Sequence, residues 1–326
     1  MKILCADPFP VSGREALQQA GCEVLYAPEL HDEALTERLR TTAAEVLIVR
    51  STRVTPAMLE ARGLRLVLRA GSGYDTIDLA AASARGIYVA NCPGQNAIAV
   101  AELTFGLLLA LDRHIPDNVA DLRRGQWNKR AYSQARGLWG RKLGLVGLGR
   151  VGREVCTRAR AFGMPVLAWS RSLTPEGAAA LGVEWQASPR TLAAAAEVVS
   201  VHVALTEQTR KLIDASVFAA MRPGTYFLNT ARAEVVDQEA LAQAVRERGI
   251  RAGLDVFYGE PASAVGTIDA DIFQLPGVIG THHIGASTEQ AQEAIAAETV
   301  RIIQVYRETG QPPRVVNLAQ LGAAGR

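Results

Sequence analysis

Ten short apolar runs recur along the chain: Ile3–Ala6, Val46–Val49, Leu66–Leu68, Ile87–Ala90, Leu143–Val146, Val166–Trp169, Val198–Val203, Tyr226–Leu228, Gly253–Val256 and Val278–Gly280. They are near-continuous rather than alternating, as strands buried on both faces must be, and the segments between them carry helical spacing. Strand–helix alternation of this kind predicts an α/β fold with doubly wound parallel sheets. It excludes disorder and coiled coil.

Two stretches break the rhythm by running as long helices. Asn96 to about His114 places Val100, Leu103, Leu107, Leu108 and Leu111 on one face, and Ser287 to about Thr309 carries Ile295, Val300, Ile302, Ile303 and Tyr306 before Gly310, Pro312 and Pro313 stop it. Each lies where the character of the chain changes, so both are expected to be crossings between two domains. The expected division is a discontinuous domain of residues 1–97 and 287–326 with a second domain, residues 98–286, inserted into it. With 326 residues of which 48% are apolar, there is enough material for two cores.

Charge and cysteine content narrow the partners. The 35 Lys and Arg nearly balance the 33 Asp and Glu, for a net charge of +2, which argues against the nucleic-acid backbone or an anionic membrane as main partner. Cys5, Cys22, Cys92 and Cys156 form neither a C-x-x-C nor a zinc-finger spacing, so no disulfide framework and no metal site are expected, and a reducing, cytoplasmic compartment fits. The strongest apolar stretch, Leu103–Leu111, is well short of the ~20 residues needed to span a bilayer, and Asp7 interrupts the N-terminus before any signal-peptide run.

One segment carries chemistry by its local geometry. Lys142-Leu-Gly-Leu-Val-Gly147-Leu-Gly149-Arg150-Val151-Gly152 reads as a strand, a G-x-G-x-x-G turn and a helix start. Gly147 permits the tight turn, Gly149 lets backbone approach a pyrophosphate, Gly152 lets helix and strand pack closely, and the first helical N–H groups face the anion. The next apolar run ends in Ser170-Arg171-Ser172 where NAD-binding proteins place a carboxylate against the ribose 2′-hydroxyl. An arginine and two hydroxyls suit a 2′-phosphate instead, which favours NADP(H), with NAD(H) possible if Arg171 is only a surface residue.

Three polar groups follow the ends of late strands: Arg232, Glu260 and His283. Hydride transfer to a 2-oxo acid requires a cation to bind the carboxylate and polarise the ketone, and a proton donor titrating near neutrality; a carboxylate beside an imidazole raises its pKa and fixes its orientation. Singly, each has a structural explanation as a strand cap, a turn residue before Pro261, or a loop histidine.

From Val49-Arg-Ser51 through Arg69-Ala-Gly-Ser-Gly-Tyr-Asp-Thr-Ile-Asp78, Asn91-Cys-Pro-Gly-Gln-Asn96, Val100-Ala-Glu-Leu-Thr104, the glycine turn and the three polar segments, the chain resembles the D-isomer-specific 2-hydroxyacid dehydrogenases. The resemblance implies a Rossmann dinucleotide-binding domain inserted into a smaller flavodoxin-like substrate domain. It implies Arg232 as substrate clamp, His283 as acid/base and Glu260 as the carboxylate partner of His283, with the amides around Ser72 and Gly73 gripping the substrate carboxylate. Cofactor contacts are implied at Thr104, His202, Val203, Thr209, Thr230, Ala231, Asp255 and Gly285, Asp255 beside the nicotinamide carboxamide. A homodimer through the segment Arg113–Gly140 is also implied.

The chain departs from the family pattern in places. His282 stands where the family usually has Pro, Ala204 likewise, and the Arg50-Ser-Thr-Arg-Val-Thr55 segment is one residue shorter than the phosphoglycerate dehydrogenase segment whose Arg meets the substrate phosphate. Arg50, the Arg69–Asp75 loop and Lys129 lean towards a phosphorylated substrate and a 3-phosphoglycerate dehydrogenase-like activity. Arg171 leans towards an NADPH-dependent glyoxylate/hydroxypyruvate reductase. The residues after about 312 are too few for a serine-sensing regulatory domain, so no serine feedback is expected on this chain. A dinucleotide-sensing corepressor-like scaffold is the alternative from another class.

Overall fold

The computed structural model describes residues 1–261, 265–268 and 270–324. It divides into two compact units, Met1–Asn96 with Ser287–Arg326, and Ala97–Ala286. Ala97 thus opens the second unit, one residue earlier than the sequence reading places the joint.

In the first unit, strands β1 (Lys2–Cys5), β2 (Glu23–Tyr26), β3 (Val46–Val49), β4 (Leu66–Arg69) and β5 (Tyr88–Asn91) form one parallel sheet in the order β2-β1-β3-β4-β5. This is the flavodoxin-type order. Successive side chains point to opposite faces, so Ile3, Ile48, Leu66 and Leu68 pack with Ile295, Ile302 and Ile303 on one side, while Leu4, Leu47 and Val67 pack with Leu35 and Leu39 on the other. The helix Glu289–Thr309 covers the first face; Thr288 caps it by accepting from the Ala291 N–H, and Gly310 ends it in the left-handed region at φ +71°. Past that helix, Val315 bridges Ala90 antiparallel and the buried Asn317 bonds Val89 N–H and the Ile87 carbonyl, so the tail covers the free edge of β5.

The second unit holds seven parallel strands, β6 (Leu143–Val146), β7 (Val166–Trp169), β8 (Glu184–Trp185), β9 (Val198–Val201), β10 (Tyr226–Asn229), β11 (Arg251–Leu254) and β12 (Val278–Gly280), in the order β12-β11-β10-β9-β6-β7-β8. Counted from β6 this is the dinucleotide-binding order 3-2-1-4-5-6 with one further strand. The order reverses between β6 and β9, where ligands of open α/β sheets collect at the carboxyl ends of the strands. Helix Ala97–Arg113 lays Leu107, Leu108 and Leu111 into the core beside Leu145 and Leu228. Two strands, β2 and β8, are absent from the sequence reading; both sit at sheet edges with largely exposed residues, and so lack the continuous apolar run that marks the others.

Candidate active site

The glycine turn joins β6 to the helix Arg150–Ala161 in the second unit. Its three glycines are required for three different reasons. At Gly147, φ is +101° and a Cβ would lie 2.6 Å from the His202 carbonyl oxygen; at Gly152 a Cβ would lie 2.2 Å from the Gly147 carbonyl oxygen. Both clashes are with backbone, which cannot give way. Around Gly149, by contrast, a Cβ would meet nothing within 4 Å, and no side chain caps the helix that begins there. Open space at Gly149 and the absence of a side-chain cap are what the sequence reading expects of a turn that binds a dinucleotide pyrophosphate through Gly147, Gly149, Arg150, Val151 and Gly152.

The next strand, β7, ends at Trp169, whose carbonyl accepts from the Gly147 N–H at 2.7 Å. Ser170 opens a turn closed by the Leu173 N–H onto its carbonyl, and Arg171 and Ser172 are exposed in it. At the β9 end, His202 and Val203 border the same glycine turn. His202 Nε2 lies 2.8 Å from Ser200 Oγ, its Nδ1 is buried with no hydrogen-bond partner among the described residues, and burial pushes its pKa down to about 3. The folded pKa is below the unfolded value of 6.5, so the stability this neutral ring supports is complete above pH 6.5 and is lost as pH falls toward 3. By pH 5 the loss is about 2 kcal/mol. Tm measured at pH 7 and pH 5 should therefore fall by several degrees more in the wild-type chain than in His202→Asn; equal falls would show that this ring does not titrate on unfolding.

The remaining expected cofactor residues are placed as follows. Thr104 and Thr230 are buried with their hydroxyls 3.1 Å apart, and since Thr104 donates to the Val100 carbonyl, Thr230 is the donor of the pair. The Thr209 hydroxyl is engaged within its own turn, donating to the Ala204 carbonyl at 2.7 Å. Ala231 follows β10, its N–H bonded to Asn229 Oδ1 at 3.0 Å. Gly285 is buried against Asp255.

Arg232, Glu260 and His283 gather at the carboxyl ends of β10, β11 and β12 of the same sheet. His283 Nδ1 and Glu260 Oε2 are 2.8 Å apart, and the other carboxylate oxygen accepts the Phe257 N–H at 2.8 Å. Burial works to raise the Glu260 pKa, but the hydrogen bonds from His283 and Phe257 and the charges of His283 and Arg232 outweigh it and hold the carboxyl below its ordinary value. Asn229 Nδ2 donates to the Arg232 carbonyl at 2.9 Å, fixing the turn that carries the guanidinium. His282 is exposed, and Glu260 pairs with His283 rather than with this neighbour. With Nδ1 occupied, His283 Nε2 is the nitrogen left to exchange a proton with a ligand.

In the first unit, Arg50 follows β3 and the loop Gly71-Ser72-Gly73 follows β4. Asp7, at the end of β1, accepts the N–H groups of Arg50, Ser51 and Thr52 on one oxygen at 2.6, 3.1 and 3.0 Å, and so sets the conformation of the Arg50 segment. Arg50 Nη2 donates to Ser287 Oγ at 3.2 Å. The Ser72 hydroxyl donates to Asn96 Oδ1 at 2.8 Å, and Asn91 Nδ2 donates to the Ser72 carbonyl at 2.6 Å, which fixes the loop through its side chain and carbonyl. The sequence reading gives no site role to Asp7, Asn96 or Thr281, all of which act by holding a loop; only an acidic or polar residue after an apolar strand marks them in sequence. Among the described residues no group of His, Cys, Asp or Glu is arranged to hold a metal, and no helix is long and apolar enough to cross a membrane.

Comparison with known proteins gives the family. Residues 105–285 match the model of the D-isomer specific 2-hydroxyacid dehydrogenase NAD binding domain. A D-3-phosphoglycerate dehydrogenase of Methanocaldococcus jannaschii is 41% identical over 307 residues, 92% of this chain, although the chain spans only 57% of that relative's length. A hydroxypyruvate reductase of Thermotoga maritima is 41% identical over 269 residues, covering 82% of this chain and 85% of the relative. The crystal structure of the TT0316 protein from Thermus thermophilus superimposes with a TM-score of 0.85 at 34% identity, over 97% of this chain and 100% of that one. Two parallel sheets, a strand–glycine turn–helix, the Arg, Glu and His at three neighbouring strand ends and relatives at this level converge: the chain belongs to the D-isomer-specific 2-hydroxyacid dehydrogenases, a family of nicotinamide-dependent oxidoreductases.

Proposed function

We propose that the protein interconverts a 2-oxo acid and its D-2-hydroxy acid, most closely as a 3-phosphoglycerate dehydrogenase does. The observation that carries this reading is the 2.8 Å His283–Glu260 pair at the carboxyl end of the sheet that also bears Arg232. A bound nicotinamide dinucleotide supplies or accepts the hydride at C2. Arg232 binds the substrate carboxylate and polarises the C2 oxygen, and His283 Nε2 gives that oxygen its proton in reduction and removes it in oxidation. Glu260, ionised because its pKa is held low, keeps the His283 ring oriented and stabilises its protonated form. In the first unit, the Ser72 and Gly73 amides and Arg50 are proposed as anion-binding groups on the strength of the resemblance.

The names of the two relatives divide between a phosphorylated and a small substrate. Arg50 and Lys129 favour the former, since a phosphate needs cations beyond the one that offsets the carboxylate. The Ser170-Arg171-Ser172 turn, with Arg171 and Ser172 exposed, favours the second reading, an NADPH-dependent glyoxylate/hydroxypyruvate reductase. A matrix of kcat/KM for NADPH and NADH against 3-phosphohydroxypyruvate, hydroxypyruvate and glyoxylate separates them. A tenfold preference for the phosphorylated acid, about 1.4 kcal/mol in the transition state, supports the first reading, and Arg50→Gln should abolish it. If the small acids win with NADPH, the second reading stands, and Arg171→Asp should then lower kcat/KM for NADPH by about 10–100-fold. No turnover with any of the six pairs rejects both and leaves the sensing scaffold.

We also assign a cytoplasmic site of action, which the four buried free thiols support, and a homodimer through Arg113–Gly140. On that segment Ile115, Leu122, Trp127 and Trp139 expose large apolar surface, Trp127 to 80%. Light scattering should give twice the 34.8 kDa of one chain, and a mass of one chain would remove the dimer assignment.

A further inference from the structure

The Asp255 carboxylate is directed at the turn that carries His283. Asp255 is 1% exposed. Its Oδ1 accepts the Thr281 hydroxyl at 2.6 Å and the Ile284 N–H at 2.9 Å, its Oδ2 accepts the Gly285 N–H at 2.9 Å, and its main-chain carbonyl accepts the His283 N–H at 2.9 Å. Four hydrogen bonds therefore run from the turn at 281–285 to one residue. The turn needs them, because His283 sits in the left-handed region at φ +51°, a conformation that costs a non-glycine residue energy and persists only where its surroundings impose it. Gly285 matches the arrangement, since a Cβ there would lie 2.9 Å from Asp255 Oδ2. Two residues further along, the Phe257 N–H holds Glu260 Oε1. One short segment after β11 thus grips both members of the pair, the histidine through the Asp255 side chain and carbonyl and the glutamate through the Phe257 amide.

We propose that Asp255 is the positioning residue of His283, acting through Thr281 and the 283–285 amides to aim the imidazole at Glu260. The role extends the dehydrogenase reading and rests on it for its kinetic consequence, but not for its structural one. It is separate from the nicotinamide carboxamide contact that family resemblance implies for Asp255: three of the roughly four acceptor positions of the carboxylate are committed within the turn, and one is left for such a contact.

Two variants separate these roles. Asp255→Asn turns one acceptor into a donor facing an N–H or O–H of the turn, and Thr281→Val deletes the 2.6 Å bond while leaving the carboxylate intact. If Asp255 positions the ring, kcat falls by about 100-fold in the first and about 5–10-fold in the second, the pH profile of kcat/KM shifts in both, dinucleotide Kd stays within threefold, and Thr281→Ser restores the wild-type profile. Histidine ¹⁵N chemical shifts give a readout independent of turnover: the His283 ring should pass from a single Nδ1–H tautomer to a mixture in Thr281→Val. If the wild-type chain turns over no 2-oxo acid, the dehydrogenase reading fails while the ring measurement still decides this one. An Asp255→Asn chain that binds dinucleotide more than tenfold weaker with an unshifted pH profile would overturn the proposal, as would a Thr281→Val chain with wild-type ring shifts. Should Asp255→Asn not fold, the Thr281 pair decides alone.

Discussion

Replacing His283 by alanine should lower kcat for reduction of a 2-oxo acid by about 10²–10⁴-fold and leave dinucleotide affinity nearly unchanged. The magnitude follows from the loss of a proton donor held in place: Nδ1 is engaged by Glu260 at 2.8 Å, so only Nε2 is left to protonate the forming alkoxide. The unchanged affinity follows from distance along the sheet, since the pyrophosphate is assigned to the β6 turn whereas His283 follows β12 at the far edge. Glu260→Gln removes the ion pair but keeps a hydrogen-bonding partner, so its loss should be smaller than that of His283→Ala. The Glu260 carboxyl lies below its ordinary value, so the partner charge is fully present above the unfolded carboxylate pKa and is lost only as pH falls through the lower folded one. The Glu260-dependent fall in activity, and the stability linked to it, should accordingly lie below the ordinary carboxylate value of 4.5 in the wild-type chain and vanish in Glu260→Gln. Steady-state rates and melts across pH 3.5–7 measure both. A His283→Ala chain with near wild-type turnover, alongside an inactive His282→Ala chain, would move the acid/base role to the neighbouring histidine.

The strands that were legible in sequence are those whose residues are buried on both faces. Val46–Val49 and Leu143–Val146 lie inside their sheets with every residue buried, and a run of four apolar residues can be read without knowing its neighbours. Glu23–Tyr26 and Glu184–Trp185 are held mainly by backbone pairing to one neighbour, which selects no residue type, and they left no trace in the apolar pattern. The candidate site divides in the same way. Arg232, Glu260 and His283 follow recognisable strand ends and carry side chains whose chemistry is distinctive. Asp7 and Thr281 act through backbone groups of segments 43 residues or more away, or through the side chain of Asp255, and such partners are fixed by strand register rather than by any local motif. For Asp255 the sequence located the residue, while the hydrogen bonds that define its role depend on β11 and β12 lying side by side with Leu254 opposite Gly280.

The glycine turn yields a pair of substitutions with opposite signatures. At Gly152, inside the first turn of the helix Arg150–Ala161, alanine would ordinarily stabilise by up to about 1 kcal/mol through helix propensity. Here its Cβ would sit 2.2 Å from the Gly147 carbonyl oxygen, and displacing backbone costs about 1–3 kcal/mol or more, so the clash wins. Gly152→Ala should lower Tm and abolish measurable dinucleotide binding together. At Gly149 the backbone has φ −74°, which alanine adopts freely, and the added methyl meets nothing within 4 Å. Gly149→Ala should therefore melt like the wild-type chain. Its methyl would instead stand where the pyrophosphate approaches the uncapped N–H groups, and loss of one or two charge-assisted hydrogen bonds of about 1.5–3 kcal/mol each lowers affinity by about 10²-fold. Thermal melts and fluorescence titrations with NADH and NADPH read the two effects separately. If Gly149→Ala binds dinucleotide as tightly as the wild-type chain, the open space beside that residue is not where the phosphates lie. If Gly152→Ala keeps its Tm, the helix shifts away from β6 more easily than the 2.2 Å approach of the new Cβ to the Gly147 carbonyl oxygen implies.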